Sequence, residues 1–170
     1  MIRKNFNPKA RVHPTVLLEG NGEVIAHQNS QIRAYSVIEM DKGSLTVGHN
    51  SVLGYHTFIQ CTGKITIGNA SLLGPHCCFV ASSHAVNEKP LISQPMIRGE
   101  INIGNNVWIG DGVTILAGVK IADGSVIGAS SLVTKDTTPF SISYGNPAKF
   151  AKYRFSDKIR SQILDDPWWL

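Results

Sequence analysis

Aliphatic residues recur every six positions between Ile97 and Thr138, and this period is the clearest pattern in the chain. Side chains at i and i+2 share one face of a strand, whereas 3.6 residues per turn would rotate a six-residue period off any single helix face. The pattern therefore predicts short strands joined by turns, repeated as a unit. The hexads open at Ile97, Ile103, Ile109, Ile115, Ile121, Ile127 and Val133. The apolar or small residues two positions before most openings are Ile101, Val107, Val113, Val119, Ser125 and Ser131.

Residues with turn chemistry fill the gaps between these pairs. Three short strands joined by tight turns make one triangular coil of about eighteen residues, and such coils stack with their strands in parallel register. The sequence thus predicts an all-β solenoid with an aliphatic interior. A sandwich of short strands is the alternative, and it needs hairpin turns at irregular spacing. The turn residues are Gly104, Asn105, Gly110, Asp111, Asp123 and Gly128.

The same repeat is present upstream in a degraded form. It predicts a β-helix of roughly six coils that spans residues 15–138. We expect residues 1–14 to form an extended N-terminal arm. Residues 39–44 break the count, and we expect a loop there. The upstream positions that keep the spacing are Ala26, Ile32, Ile38, Val47, Leu53, Ile59, Ile67, Leu73 and Phe79.

One long interruption lies inside the solenoid, at residues 80–96, and contains two prolines and a histidine. A solenoid accommodates such an insertion as a loop on one face, and loops of this length on rigid scaffolds are commonly functional. We expect this loop to reach toward a neighbouring subunit. After Thr138 the hexads stop. The C-terminal extension, residues 139–170, is expected to hold a short helix with Ser156 as its N-cap, and its apolar face is expected to pack with Trp168 and Trp169.

Composition narrows the class of protein. A chain of 170 residues with 42% hydrophobic content fits one globular domain. There is no run of eighteen apolar residues and no apolar leader segment, so we expect neither a membrane span nor a secretory signal. Three cysteines do not make a disulfide framework, which favours a cytoplasmic location. The net charge of +4 is spread without interleaved aromatics and argues against nucleic-acid binding.

Three phrases of the sequence carry a resemblance to a known family: N-N-V-W-I-G at residues 105–110, S-V-I-G-A-S-S-L-V-T-K-D at 125–136, and G-N-P-A-K at 145–149. They resemble the hexapeptide-repeat acyltransferases, in the branch of sugar and xenobiotic O-acetyltransferases that includes the maltose and galactoside acetyltransferases. The resemblance implies a left-handed parallel β-helix, a homotrimer and acetyl-CoA as co-substrate. It also implies active sites between subunits.

The resemblance further implies that His84 is the catalytic base. This histidine lies in the insertion, 24 residues before Trp108, as the catalytic histidine and the following tryptophan do in the family. A neutral imidazole would take the proton from an acceptor hydroxyl as the oxygen attacks the thioester carbonyl. His56 and His76 fall at turn positions and are lesser candidates for lining the acceptor site.

Residues of the donor site are also carried over from the family. Trp108 would form an aromatic wall near the thioester and the pantetheine arm, and Ala129 stands where backbone groups meet the pantetheine. Thr134 and Lys135 would approach the adenosine phosphates, where a lysine suits the charge. Further candidates for contacting the phosphates are Lys149 and Arg154.

At one position the sequence departs from the galactoside-type relatives, which place a serine just after W-I-G to help hold the oxyanion. Asp111 stands there, and its carboxylate would repel developing negative charge. We therefore assign the oxyanion donor to a backbone N–H near Gly110 or Asp111. Acceptor recognition is expected from polar residues near the cleft: Tyr55, His56, Asn87, Glu88 and Arg98.

The sequence permits three other interpretations. Carbonic anhydrases of the same fold hold zinc with three histidines, but no histidine follows His84, so no metal site is expected. A covalent acyl-cysteine route through Cys61, Cys77 or Cys78 has only His76 as an adjacent base. A catalytically inactive scaffold would have no need of His84, Trp108 and Lys135. We expect direct acetyl transfer to a hydroxyl of a sugar or surface polysaccharide precursor, with a streptogramin or chloramphenicol O-acetyltransferase as the alternative.

Overall fold

The computed structural model describes residues 1–86, 90 and 95–165, with the backbone alone at 164 and 165. It holds twenty strands and one helix. The first ten strands are β1 (Ile2–Phe6), β2 (Arg11–Val12), β3 (Leu17–Ala26), β4 (Gln31–Ile32), β5 (Val37–Val47), β6 (Val52–Leu53), β7 (Phe58–Cys61), β8 (Lys64–Ile67), β9 (Leu72–Leu73) and β10 (Cys78–Val80). The remaining elements are β11 (Ser82–His84), β12 (Met96–Arg98), β13 (Glu100–Ile103), β14 (Trp108–Ile109), β15 (Thr114–Leu116), β16 (Lys120–Ile121), β17 (Val126–Ile127), β18 (Leu132–Val133), β19 (Ser141–Gly145), β20 (Ala148–Tyr153) and α1 (Asp157–Asp165).

The strands stack in parallel into three faces of a left-handed β-helix, as the hexads predict. Face 1 contains β1, residues 22–26 of β3, residues 43–47 of β5, β8, β13 and β16. Face 2 contains β2, β4, β6, β9, β14, β17 and β19. Face 3 contains residues 17–20 of β3, residues 37–41 of β5, β7, β10, β15 and β18. The chain runs from face 1 to face 2 to face 3 within each coil, through corners 1–2, 2–3 and 3–1.

The inward positions of the hexads form one continuous core. From Ile101 to Val133 every such position is buried, and Phe79, Ile59 and Ile115 lie in register on face 3 with no exposed surface. Burying an aliphatic or phenyl side chain of this size stabilises the fold by about 1.5–3 kcal/mol. The core is therefore the main source of stability.

Between Ile101 and Val133, two inward positions carry serine instead of an aliphatic residue, and both hydroxyls have backbone partners. Ser125 Oγ donates to the Thr138 carbonyl at 3.1 Å, and Ser131 Oγ donates to the Gly128 carbonyl at 2.7 Å. A buried hydroxyl without a partner would cost about 1–3 kcal/mol. These bonds explain why serine fits the hexad pattern there.

Three expectations differ from the structure. Ile97, which opens the first hexad, is 53% exposed and lies outside the solenoid in strand β12. Residues 39–44 form no loop, because β5 continues through them with a shift in register to β3. The predicted N-terminal arm contains β1 and β2, which pair in parallel with β3 and β4 and so extend the stack by a coil.

Corner 1–2 is held by a ladder of side-chain oxygens that accept backbone N–H groups from the preceding coil. Asn69 Oδ1 accepts from His49 N at 2.9 Å, Asn105 Oδ1 from Asn69 N at 2.7 Å, and Asp123 Oδ1 from Asn105 N at 2.6 Å. Asn and Asp readily form such turn bonds. The ladder fixes the register between coils at this corner.

The insertion leaves the solenoid at corner 3–1 as an antiparallel pair, β11 with β12. At the other end, β20 turns back antiparallel on β19, and α1 follows it. Ile163 of α1 is buried, whereas Ile159, expected on the same apolar face, is 44% exposed. Trp168 and Trp169 lie outside the described residues. Within the described part of the chain, no helix is long and apolar enough to span a membrane.

Candidate active site

His84 lies on strand β11, opposite Met96 of β12 in the antiparallel pair. Its side chain is exposed, and no described residue forms a hydrogen bond with the imidazole. A histidine in this situation keeps both ring nitrogens available, one as donor and one as acceptor. The structure thus presents a free imidazole on the insertion.

Two contacts fasten the base of this hairpin to face 3. Ser82 Oγ donates to Gln60 Oε1 at 2.8 Å, and the Arg98 guanidinium pairs with the Asp41 carboxylate at 2.8 Å. Each exposed contact of this kind stabilises by about 1 kcal/mol or less. Their combined effect is to define how β11 and β12 leave the solenoid.

Trp108 lies on strand β14 and points outward from face 2. Its indole is 54% exposed, and its register neighbours are Leu72 on β9 and Val126 on β17. Val52 and Ile142 continue the same outward column in both directions. An exposed apolar column of this length is a candidate contact surface.

His84 and Trp108 are not brought together by the described part of one chain. The hairpin leaves from corner 3–1, whereas Trp108 points away from face 2. Within the described part of one chain, the two residues thus lie on different sides of the solenoid.

The candidate oxyanion donors lie at corner 2–3. The Gly110 N–H already donates to the Ile127 carbonyl at 2.8 Å, so it is unavailable to a ligand. The Asp111 N–H has no partner among the described residues, while the Asp111 carbonyl accepts from Ser130 N at 2.8 Å. Ala129 is exposed in the next coil of the same corner. Of the two predicted donors, only the Asp111 N–H lacks a partner in the part of the chain that the structure describes.

The predicted phosphate-binding residues separate into two groups. Thr134 and Lys135 are exposed just after β18, and Lys135 lines a cavity of about 220 Å³ with Phe150 of β20. Lys149 is exposed on β20. The Arg154 guanidinium instead donates to two backbone carbonyls of corner 1–2, those of Asn106 at 3.4 Å and Gly124 at 3.3 Å. Arg154 thus has a structural contact, whereas Lys135 and Lys149 have no carboxylate partner among the described residues.

The predicted acceptor residues are scattered. Tyr55 and His56 lie at corner 2–3, where the His56 ring stacks between Tyr35 at 5.1 Å and His76 at 5.0 Å. Arg98 is engaged with Asp41, as described above. Asn87 and Glu88 lie outside the described residues. The sequence analysis did not predict that the rings of Tyr35, His56 and His76 stack on one another, although the three residues occupy the same position in successive degraded hexads.

The cysteines have the properties of core residues. Cys61 and Cys77 are buried, and burial raises the pKa of each thiol to about 11. The pKa of Cys78 is also raised by burial. Because the thiolate is the nucleophile, thiols that stay protonated at neutral pH are poor candidates for an acyl-enzyme. Among the described residues, no group of three or more His, Cys, Asp or Glu side chains could hold a metal ion.

We expect Cys61 and Cys77 to resist iodoacetamide at neutral pH in the folded protein and to react after unfolding in urea. Mass spectrometry of the alkylated peptides checks this. The raised pKa also predicts a pH dependence: below the ordinary thiol pKa of 9.0 both states are protonated, and between 9 and about 11 only the unfolded thiols ionise. Stability should therefore fall as the pH rises through that range. Rapid labelling of folded Cys77 would contradict this account.

Part of the chain matches a known protein family. Residues 100–135 match the family model described as bacterial transferase hexapeptide (six repeats). This segment is a hexapeptide repeat. The resemblance predicted from the sequence is confirmed for this part of the solenoid.

Two curated relatives are similar over part of the chain. A probable macrolide acetyltransferase of Lysinibacillus sphaericus is 51% identical over 80 residues, which is 47% of this chain and 44% of that protein. A chloramphenicol acetyltransferase of Morganella morganii is 52% identical over 71 residues, which is 42% of this chain and 34% of that protein. The chain thus spans less than half the length of both relatives.

Two solved structures share the fold over most of this chain. A maltose O-acetyltransferase from Clostridium difficile 630 is 25% identical, with a TM-score of 0.66, covering 91% of this chain and 71% of that one. A hexapeptide-repeat acetyltransferase from Vibrio cholerae, solved with acetyl coenzyme A, is 24% identical with a TM-score of 0.66, covering 91% of this chain and 72% of that one. The left-handed β-helix is therefore common to all three chains.

Proposed function

We propose that the protein is an acetyl-CoA-dependent O-acetyltransferase that acts on a hydroxyl of a sugar or surface polysaccharide precursor. The observation that carries this proposal is the free, exposed imidazole of His84 on a hairpin fastened to the hexapeptide solenoid. Acetyltransferases among its relatives and structural neighbours support the acetyl donor. The maltose O-acetyltransferase supports a carbohydrate acceptor.

The proposed reaction is a direct transfer. His84 accepts the proton of the acceptor hydroxyl while that oxygen forms a bond to the thioester carbonyl carbon. The tetrahedral intermediate carries its negative charge on the former carbonyl oxygen, and the Asp111 N–H is the group available to stabilise it. Collapse breaks the carbon–sulfur bond, and the thiolate of coenzyme A leaves and takes the proton from His84. No covalent enzyme intermediate is needed.

A homotrimer would bring His84 of one protomer close to Trp108 of another. Faces 2 and 3 carry outward apolar columns, with Leu72 and Trp108 on face 2 and Leu17 and Phe58 on face 3. Face 1 instead carries polar outward residues. Its outward positions include Arg3, Glu23, Ser44, Lys64 and Glu100. Since each protomer of a closed trimer offers two different surfaces, faces 2 and 3 suit the contacts and face 1 suits solvent.

In such an assembly the hairpin of one protomer reaches toward the donor residues of its neighbour. Trp108 would line the pantetheine arm, and Lys135 and Lys149 would approach the phosphates of coenzyme A. Thr134 follows β18 at corner 3–1, and Ala129 lies at corner 2–3 of the last coils. We further place the protein in the cytoplasm, because its three cysteines are free.

A drug acceptor is the second candidate function. It is favoured by the two curated relatives, which are named as macrolide and chloramphenicol acetyltransferases. A third possibility is a scaffold without activity. The free imidazole of His84 and the uncommitted Lys135 argue against the scaffold, because neither contributes a described contact to the fold.

Release of coenzyme A thiol from acetyl-CoA tests the acceptor class. The panel contains mono- and oligosaccharides, nucleotide sugars, chloramphenicol, a macrolide and a streptogramin. We expect turnover with a carbohydrate. Turnover with a drug alone would replace the proposal by the second candidate. Absence of turnover with every acceptor, together with no binding of coenzyme A, would favour the scaffold.

A further inference from the structure

A cavity of about 320 Å³ with two arginines in its lining lies on the first three coils, where face 2 meets corner 2–3. Arg11 on β2 and Gln31 on β4 are register neighbours on its floor. His13 and Arg33 follow them at the start of the corner, and Tyr55 closes the side toward the third coil. Trp108, on β14, lies three strands beyond β4 on face 2, and neighbouring strands are about 4.8 Å apart.

The two arginines of this cavity lack the neutralisation that the other arginines have. The chain has six arginines, and all six are among the described residues. Three of them pair with carboxylates, and Arg154 donates to backbone carbonyls. Arg11 and Arg33 have no carboxylate partner in the described part of the chain. Within the described part of the chain, no carboxylate offsets the two positive charges beside this cavity.

Arg33 is also held in place before any ligand arrives. Its Nη1 donates to the Tyr55 hydroxyl at 3.0 Å, and its Cζ lies 5.2 Å from the centre of the Tyr55 ring. Its Nε atom is buried and has no hydrogen-bond partner among the described residues, so a ligand in the cavity would meet the guanidinium at its Nη atoms.

We propose that this cavity binds an oxyanion, a carboxylate or a phosphate, carried by a sugar. The guanidinium groups of Arg11 and Arg33 would donate to the oxyanion oxygens, since arginine presents forked donors suited to both groups. Tyr55 and Gln31 offer a ring face and an amide to the attached sugar. Binding of the anion does not depend on the proposed acetyl transfer.

Isothermal titration calorimetry on the full chain, without acetyl-CoA, tests the site. The probes are inorganic phosphate and glucuronate, and glucose with sodium chloride at the same ionic strength is the neutral comparison. The variants are Arg33→Gln and Arg11→Gln. Arg3→Gln is the matched control, because it removes an arginine from face 1 and leaves the cavity intact. Arg11 is exposed, so its variant keeps the fold even if Arg33→Gln is unstable.

We expect at least one anion to bind the wild type and Arg3→Gln more tightly than glucose does. Each cavity variant should weaken that binding about tenfold or more, as expected for the loss of a charge-assisted hydrogen bond. Binding of phosphate alone would identify a phosphate-bearing ligand such as a nucleotide sugar, and binding of glucuronate alone an acidic sugar. Binding of neither anion, or equal affinity in Arg33→Gln, Arg11→Gln and wild type, would overturn the proposal. Because no acetyl donor is present, failure here leaves the proposed transferase activity unaffected.

Discussion

Replacing His84 by alanine should lower kcat/KM for acetyl transfer by about 10²–10⁴-fold, the range for losing a positioned general base. The loss should appear mainly in kcat, since the imidazole acts on the hydroxyl proton in the transition state. The fold should persist, because His84 is exposed and makes no described hydrogen bond. Initial rates of thiol release, with circular dichroism as the check on folding, measure both quantities.

His49→Ala is the matched control for this variant. His49 is likewise exposed, and its ring stacks on His27, at 4.8 Å, in corner 1–2. Its backbone N–H bond to Asn69 does not depend on the side chain. The control should keep the wild-type rate within about threefold, because exposed substitutions change stability by only about 0.5 kcal/mol. A His84→Ala protein as active as this control would remove the role given to His84.

Replacing Phe79 by alanine should reduce the free energy of unfolding by about 3–5 kcal/mol, the range for deleting a buried phenyl group. Phe79 has no exposed surface, and its register neighbours Ile59 and Ile115 cannot fill the space without moving their strands. The position also carries the only phenyl ring among the fully buried side chains of the described residues. Denaturant unfolding at one fixed protein concentration measures the change.

Phe150→Ala is the control, because it removes the same side chain from an exposed position on β20. Phe150 is 54% exposed and contacts Tyr153 edge to face at 5.0 Å between ring centres. Its loss should cost about 1 kcal/mol or less. Equal destabilisation by the two variants would mean that the solenoid interior does not carry the stability.

The architecture was predictable because its cause is local. A six-residue period can be read from adjacent residues, and the alternation of Ile103, Val107 and Ile109 reports directly which side chains point inward. Ser125 also lies inward as the pattern predicts, because its small side chain can be buried there while its hydroxyl donates to the Thr138 carbonyl. The six-residue period gave a wrong prediction where the chain forms the antiparallel hairpin instead. Ile97 kept the count but belongs to the hairpin, where β12 pairs with β11.

The candidate site was less predictable because it depends on distant pairs. Arg98 was expected to meet the acceptor, yet it pairs with Asp41, which is 57 residues away in sequence. Arg154 was expected to meet phosphates, yet its guanidinium lies on the carbonyls of corner 1–2. Such partners are set by the stacking of coils, which brings together residues that no short motif connects. The roles of His84, Trp108 and Lys135 remain predictions from the family resemblance.

The most direct test of the proposed acetyl transfer is to identify the product formed from acetyl-CoA labelled with ¹³C in the acetyl group. The wild-type protein is incubated with the carbohydrate panel, and the products are analysed by mass spectrometry and NMR before and after mild alkali. We expect one labelled acetyl group on a sugar oxygen, released by alkali as esters are. A labelled product that survives alkali as an amide, or label that appears only in free acetate with every acceptor, would contradict O-acetyl transfer to a carbohydrate.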